Sequence, residues 1–306
     1  MSQITDKRAL CIGIDYMLME AQYDYAVAKA FLEQPGPDWW LQNGNIVIPD
    51  SRYRFAAYSA IEPKERITPF EVRGGVYPYA PLESLREDII WAYAGKLRYL
   101  YLTLHGFEVV IVLPNGKKIV IRGLYMGHDG TQGYPYSFDY MSKHLFCYFD
   151  VIIIDACFAG GAKHPGRYEI PSAMAAQNTA GMEPQPKAFT LDQDECIPAW
   201  LVEEPTDLKK QTIIVASKQT KPAWGALLGG PGRYSPYHTD YNSLFTSCLF
   251  TASARQLSGA PGYINTRKTG KIVNTTDGFM NIAQKIWDMP VSPCSFSGPN
   301  RILFEE

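Results

Sequence analysis

The sequence predicts an α/β protein: a three-layer α/β/α sandwich with a mostly parallel central sheet, plus a β-hairpin. Three observations predict it. Runs at 9–16, 97–104, 151–156 and 212–217, partly β-branched, are mostly apolar, with the near-continuous hydrophobicity of strands buried on both faces. Segments with helical apolar spacing lie between them. Strand and helix then alternate along the chain, the pattern of a parallel sheet covered by helices.

Ala9-Leu10-Cys11-Ile12-Gly13-Ile14-Asp15-Tyr16 is the first buried strand, and 21–33 follows as a helix with Tyr23, Val27, Ala30 and Phe31 at helical spacing. Pro35-Gly36-Pro37 stops it. Asn45-Ile46-Val47-Ile48-Pro49 reads as a short second strand, and 51–80, with little periodicity, as an extended insertion. Pro81 opens a helix with Leu82, Leu85, Ile89 and Tyr93 on one face. The strand 97–104 ends at His105. Phe107–Leu113 and Lys117–Ile121, joined by Pro114-Asn115-Gly116, form the hairpin, Asn-Gly supplying the positive-φ turn. A helix near 137–147 leads to Val151-Ile152-Ile153-Ile154-Asp155-Ala156-Cys157, and 162–209 reads as a long surface loop around a short helix. After the strand 212–217 and a Gly/Pro/Tyr loop over 218–241, amphipathic helices near 242–254 and 276–288 close the chain. One domain, 1–306, is expected.

Composition narrows the function. The 306 residues are 46% hydrophobic with a net charge of −2, so a large core is within reach and no basic footprint for nucleic acid or for a membrane surface stands out. No apolar run is long enough to span a membrane, and the first eight residues lack a signal peptide's apolar stretch. Six cysteines are scattered without a CxxC pair. A reducing, cytoplasmic setting is expected, with no zinc site and no cofactor. Gly229-Gly230-Pro231-Gly232 lacks the Lys-Ser/Thr that a phosphate-binding loop needs.

Chemistry concentrates at Cys157. A cysteine at the carboxyl end of a buried strand, followed by Gly160-Gly161, sits where open α/β sheets build sites; a buried structural cysteine is the alternative. A thiol is mostly protonated at neutral pH, so a nucleophile needs a base. His105 also ends an apolar strand and is followed by Gly106. His128, among turn formers, is the rival base, while His144 lies in a helix and His164 and His238 in loops.

These segments resemble the caspase-like cysteine peptidases, and among them the metacaspases. Residues 9–16 look like the family's opening strand, and Tyr23-Asp24-Tyr25-Ala26 like its Asn-Asp-Ala helix start. Leu102-Thr103-Leu104-His105-Gly106 looks like the strand ending in the catalytic His-Gly. Asp155-Ala156-Cys157 is similar to the nucleophile motif, and Ile213–Ser217 with Gln219-Thr220 to the strand and turn that wall the cleft. The 52 residues from His105 to Cys157 match the caspase-type spacing. The resemblance implies a cysteine endopeptidase with Cys157 as nucleophile, His105 as proton shuttle, and the N–H groups of Gly106 and Cys157 as the oxyanion hole. It implies a pocket for the residue before the cut, built from Asp155, Asp24, Thr103 and Ser217, that favours Arg or Lys over Asp. The partner would be a protein or peptide substrate; monomer and dimer both stay open. The acidic cluster that calcium-dependent metacaspases carry after the nucleophile is missing at Ala162-Lys163-His164-Pro165, so no metal requirement is expected, and Trp224 makes one cleft wall bulkier. Self-cleavage, if it occurs, is expected within 162–209. A catalytically silent caspase-like adaptor or scaffold is the alternative function.

Overall fold

A computed structural model describes residues 7–18, 20–33, 69–112, 118–163 and 204–217, with shorter pieces at 168–169, 188–190, 243, 245–246, 249–250, 264–265, 295–299 and 302–304. The predicted apolar runs become the centre of a six-stranded sheet. Its strands are β1 (Lys7–Ile14), β2 (Glu71–Tyr77), β3 (Leu97–Thr103), β7 (Val151–Asp155), β10 (Thr212–Val215) and β12 (Ser295–Ser297), in the order β12-β10-β7-β3-β1-β2. The first five in chain order pair in parallel, and β12 closes one edge antiparallel to β10. All five residues of β7 and all four of β10 are buried, as a strand covered on both faces requires.

Helices cover both faces. On one, Leu10, Ile12, Leu100, Leu102, Ile152 and Ile154 join a core with Leu85, Ile89 and Ala92 around α2 (Arg86–Tyr93) and with Phe138 and Met141 of α3 (Phe138–His144). On the other, α1 (Glu20–Glu33) buries Ala21, Asp24, Ala28, Phe31 and Leu32. There Phe250, in a helical stretch, meets Phe31 and Tyr101 with ring centroids 5.1 and 5.8 Å apart. Cys11 faces this layer, and burial pushes its thiol pKa up, which suits a core residue rather than a nucleophile.

A second sheet holds the hairpin, β4 (His105–Val112) and β5 (Lys118–His128), with β6 (Gly133–Ser137) beside β5. The chain therefore changes sheets at Leu104, and His105 stands at the corner. Strands β11 (Ile264–Asn265) and β13 (Ile302–Phe304) form a separate pair.

Three expectations are corrected. The tail of the 51–80 stretch is not an insertion but β2, the parallel edge strand on β1. Its sequence, Glu-Val-Arg-Gly-Gly-Val-Tyr, has no apolar run because an edge strand is covered on fewer sides, and it is partly exposed throughout. The 162–209 stretch is not wholly loop: β8 (Tyr168–Glu169) pairs with β5 and β9 (Ala188–Thr190) with β4. Pieces this short are held by backbone pairing and carry no periodic signal. The helix after Pro81 starts as a 3₁₀ turn over Leu82–Leu85, and Tyr93, expected on its buried face, is 58% exposed; the change of pitch rotates the apolar stripe onto Ala92. The strand at 45–49, the Asn115-Gly116 turn, Trp224 and the helix at 276–288 lie outside the described residues. Among the described residues no helix is long and apolar enough to cross a membrane.

Candidate active site

The site grows out of one cross-strand row. Gly13 of β1 pairs with Thr103 of β3, and Thr103 with Asp155 of β7. At Gly13 a Cβ would lie 2.8 Å from the carbonyl oxygen of Ala21, so only glycine lets the start of α1 come this close. That approach sets Asp24 of α1 over the row. Thr103 Oγ1 donates to Asp24 Oδ2 at 3.0 Å, and the Ser243 N–H donates to Asp24 Oδ1 at 2.7 Å. The Ser243 hydroxyl donates to Asp155 Oδ2, as does Thr246 Oγ1 at 2.6 Å. Tyr101 and Thr246 share a further hydrogen bond of 2.5 Å. Ser243 also accepts from the Thr246 N–H at 3.2 Å, an N-cap for the helical residues that follow.

The predicted pair of acids is thus brought together, bridged by Ser243 and deeply buried. Burial above all pushes the Asp24 pKa well above the usual carboxylate range, with the neighbouring Asp155 adding to the rise. Asp155 is pushed up to about 6, again by burial, while the Ser243 and Thr246 hydroxyls pull it back. Among the described residues no Lys or Arg bonds to either acid.

Cys157 and His105 each lie two residues beyond this row. β7 ends at Asp155 and β3 at Thr103, and the next residues, Ala156 and Leu104, are buried in the core. The Leu104 N–H donates to the Asp155 carbonyl at 3.2 Å, holding the two strand ends together. Gly106 lies against the Cys157 backbone: a Cβ there would fall 1.8 Å from the Cys157 carbonyl oxygen. The thiol is partly exposed and not part of a disulfide.

The turn after Cys157 is strained and fastened. Phe158 has φ +58°, a conformation a bulky residue adopts only under constraint. The Ala159 N–H donates to Ser217 Oγ at 3.1 Å, and that hydroxyl donates to the Ala156 carbonyl at 2.9 Å. Ser217, expected in the substrate pocket, is fully buried and ties the turn after Cys157 to the end of β10. Its hydroxyl is spent on backbone groups that the turn would otherwise leave unpaired. Thr103, expected as a pocket wall, is spent on Asp24.

His105 Nε2 lies 3.2 Å from the Met17 carbonyl oxygen. A carbonyl can only accept, so this nitrogen carries a hydrogen and donates, and in the neutral ring Nδ1 keeps the lone pair. Met17 itself has φ +55°, in the left-handed region. The rival His128 ends β5 rather than sitting in a loop. Its Nδ1 accepts from the Gly130 N–H at 2.9 Å and its ring stacks on Tyr16. His144 stacks on Tyr140 with centroids 4.1 Å apart; His164 and His238 lie outside the described residues.

Sequence reasoning missed Ser243, Thr246, Tyr101 and Met17. The Ser243-Leu244-Phe245-Thr246 start of an amphipathic helix is legible as an N-cap, but its partners are not, and a backbone carbonyl such as that of Met17 has no sequence signature. Among the described residues no three His, Cys, Asp or Glu side chains converge as a metal site needs. No protein-family model matches this chain, and no curated protein matches it.

Proposed function

We propose that this chain is a cysteine endopeptidase of the caspase-like kind, cutting after Arg or Lys. The observation that carries the reading is the junction of the two strand ends: the Leu104 N–H bonds the Asp155 carbonyl, Gly106 lies against the Cys157 backbone, and Nε2 of His105 is held by the Met17 carbonyl. The Gly106 contact sets the backbone at 106 against the backbone at 157, so a base on one segment reaches a thiol on the other with little movement. In this mechanism His105 Nδ1 takes the Cys157 proton and the thiolate attacks the scissile carbonyl. The backbone N–H groups of Gly106 and Cys157 receive the oxyanion. The imidazolium then protonates the leaving amine, and a water activated by the same ring hydrolyses the thioester.

The acid pair supports the specificity. Two buried carboxylates without a cation are costly, and a guanidinium or ammonium relieves that cost. Their four hydrogen bonds leave acceptor capacity, since each carboxylate has roughly four lone-pair sites. Two strand residues, ~6.6 Å, separate the pair from the nucleophile, a reach suited to a long basic side chain. The resemblance of the Asp155-Ala156-Cys157 and His105-Gly106 segments to metacaspase motifs points the same way.

A silent caspase-like scaffold is the second reading. It is favoured by the seal that Ser243 and Thr246 form over the acids. Cleavage-site profiling of a peptide library separates the two. Cuts after Arg or Lys that disappear in Cys157→Ala support the peptidase. Cuts dominated by Leu, Phe or Asp overturn the specificity alone, and no cleavage by the wild-type protein favours the scaffold.

A further inference from the structure

We infer that Tyr125, Tyr16 and Met17 form a subsite for a large apolar or aromatic side chain on the residue that follows the cut bond. The inference rests on the peptidase reading and extends it to the leaving-group side. Tyr125 pairs directly opposite His105 across β4 and β5, and directly opposed residues project to the same side with Cβ atoms ~5 Å apart. Its ring meets that of Tyr16, from the loop after β1, with centroids 5.7 Å apart. Tyr16 in turn stacks on His128 at 6.0 Å. At Gly133 a Cβ would lie 2.5 Å from the Tyr125 hydroxyl, so the missing side chain makes room for the ring to lie across β6.

Met17 completes the shelf. It is 83% exposed, an unbranched apolar side chain turned to solvent by a backbone in the left-handed region. Packing of its own side chain therefore does not explain this conformation, whereas its carbonyl already serves His105. A thioether adapts to varied apolar partners and contacts aromatic rings favourably. The neighbouring charge is turned aside: Asp15 Oδ2 accepts from Gln22 Nε2 at 3.2 Å.

The chemistry fixes which part of a substrate meets this shelf. His105 must reach the leaving nitrogen, so the chain after the cut departs on the histidine's side. Sheet order puts the ends of β7, β3 and β1 in line, with Cys157, His105 and the Tyr16–Met17 loop following in that sequence. The acid pair lies one row behind, on the α1 face, and serves the residue before the cut. The two subsites are therefore distinct.

The test compares two peptides that differ only after a single Arg, one with Phe and one with Gly. For the wild-type protein, kcat/KM is expected to favour Phe by about three- to tenfold, the scale of one aromatic contact. In Tyr125→Ser and in Met17→Ser that ratio is expected to fall towards one. Met17→Ser changes only an exposed side chain, so it keeps the test sound if Tyr125→Ser folds poorly. A wild-type ratio near one, or a ratio kept in both variants, overturns the subsite while leaving the peptidase standing. A wild-type protein that cuts neither peptide overturns both.

Discussion

Strands β3 and β7 hold a buried acid at each end, and the two ends treat it differently. At the amino end Asp150 precedes β7 and is 9% exposed; at the carboxyl end Asp155 is 5% exposed. Burial is nearly the same, so it does not explain the contrast. Asp150 is met by Arg98 of β3, whose Nε and second terminal nitrogen donate at 2.8 and 2.9 Å and whose backbone N–H donates at 3.0 Å. Those bonds raise the Arg98 pKa. Asp155 is met by hydroxyls and by a second acid. A fork of this kind holds a buried carboxylate at little net cost. Among the described residues the fold thus supplies a cation where the acid is part of the scaffold and none where, on the proposed function, a substrate would bring one.

The largest effect should fall on chemistry at the carboxyl end. Cys157→Ala and His105→Ala should each lower kcat/KM at least about 10³-fold without loss of folding, because nucleophile and base act as one unit. His128→Ala, whose lone pair serves its own turn, should stay near wild type. Loss of activity in His128→Ala with His105→Ala active would reverse the base assignment. Next comes Gly106→Ala. Its methyl would meet the Cys157 carbonyl, which is backbone and cannot swing away, so the variant should lose about 1–3 kcal/mol of stability and most of its activity. Denaturant melts and a rate assay read both.

The contrast itself is tested by Asp150→Asn and Asp155→Asn, which should have opposite signs. Asp150→Asn removes charged hydrogen bonds and should cost about 1.5–3 kcal/mol of stability at pH 7. Asp155→Asn removes a strained charge and should add on the order of 2–3 kcal/mol, while weakening Arg and Lys substrates by a comparable amount. The sign follows from the raised folded pKa of about 6 against an ordinary 3.8. The native state holds the proton more tightly, so this acid favours folding below the ordinary value, and that contribution is lost as pH rises through about 6. The gain from Asp155→Asn should therefore be absent near pH 4 and complete near pH 7. Equal, destabilising effects from both variants would erase the distinction between the two ends. The smallest effect expected is that of a chelator, which should change the rate by less than roughly twofold, since hard cations need several convergent oxygens.

Legibility in the sequence followed how local each feature is. The strands at 97–104 and 151–155 were plain because burial on both faces demands a mostly apolar run, and that run marks where Thr103, His105, Asp155 and Cys157 come in the chain. β2 was hidden because an edge strand needs no such run, and β8 and β9 because two or three residues carry no period. The meeting of Asp24 with Asp155 was expected from the resemblance. Ser243, which bridges them, lies 219 positions from one acid and 88 from the other and follows no local pattern.

By itself, the sequence determined an α/β chain with a cysteine and a histidine at the ends of two buried strands. Both properties depend on the order of apolar and polar residues over a few positions. Tertiary structure alone decided that those strands are neighbours in register, that the Met17 carbonyl takes the Nε2 hydrogen of His105, and that the Ser217 hydroxyl serves the turn after Cys157. It also decided that, among the described residues, one buried acid received an arginine and the other did not. Each of these depends on groups far apart in sequence meeting at one place, and hydrogen bonds and charges act over distance in space, whatever the separation along the chain.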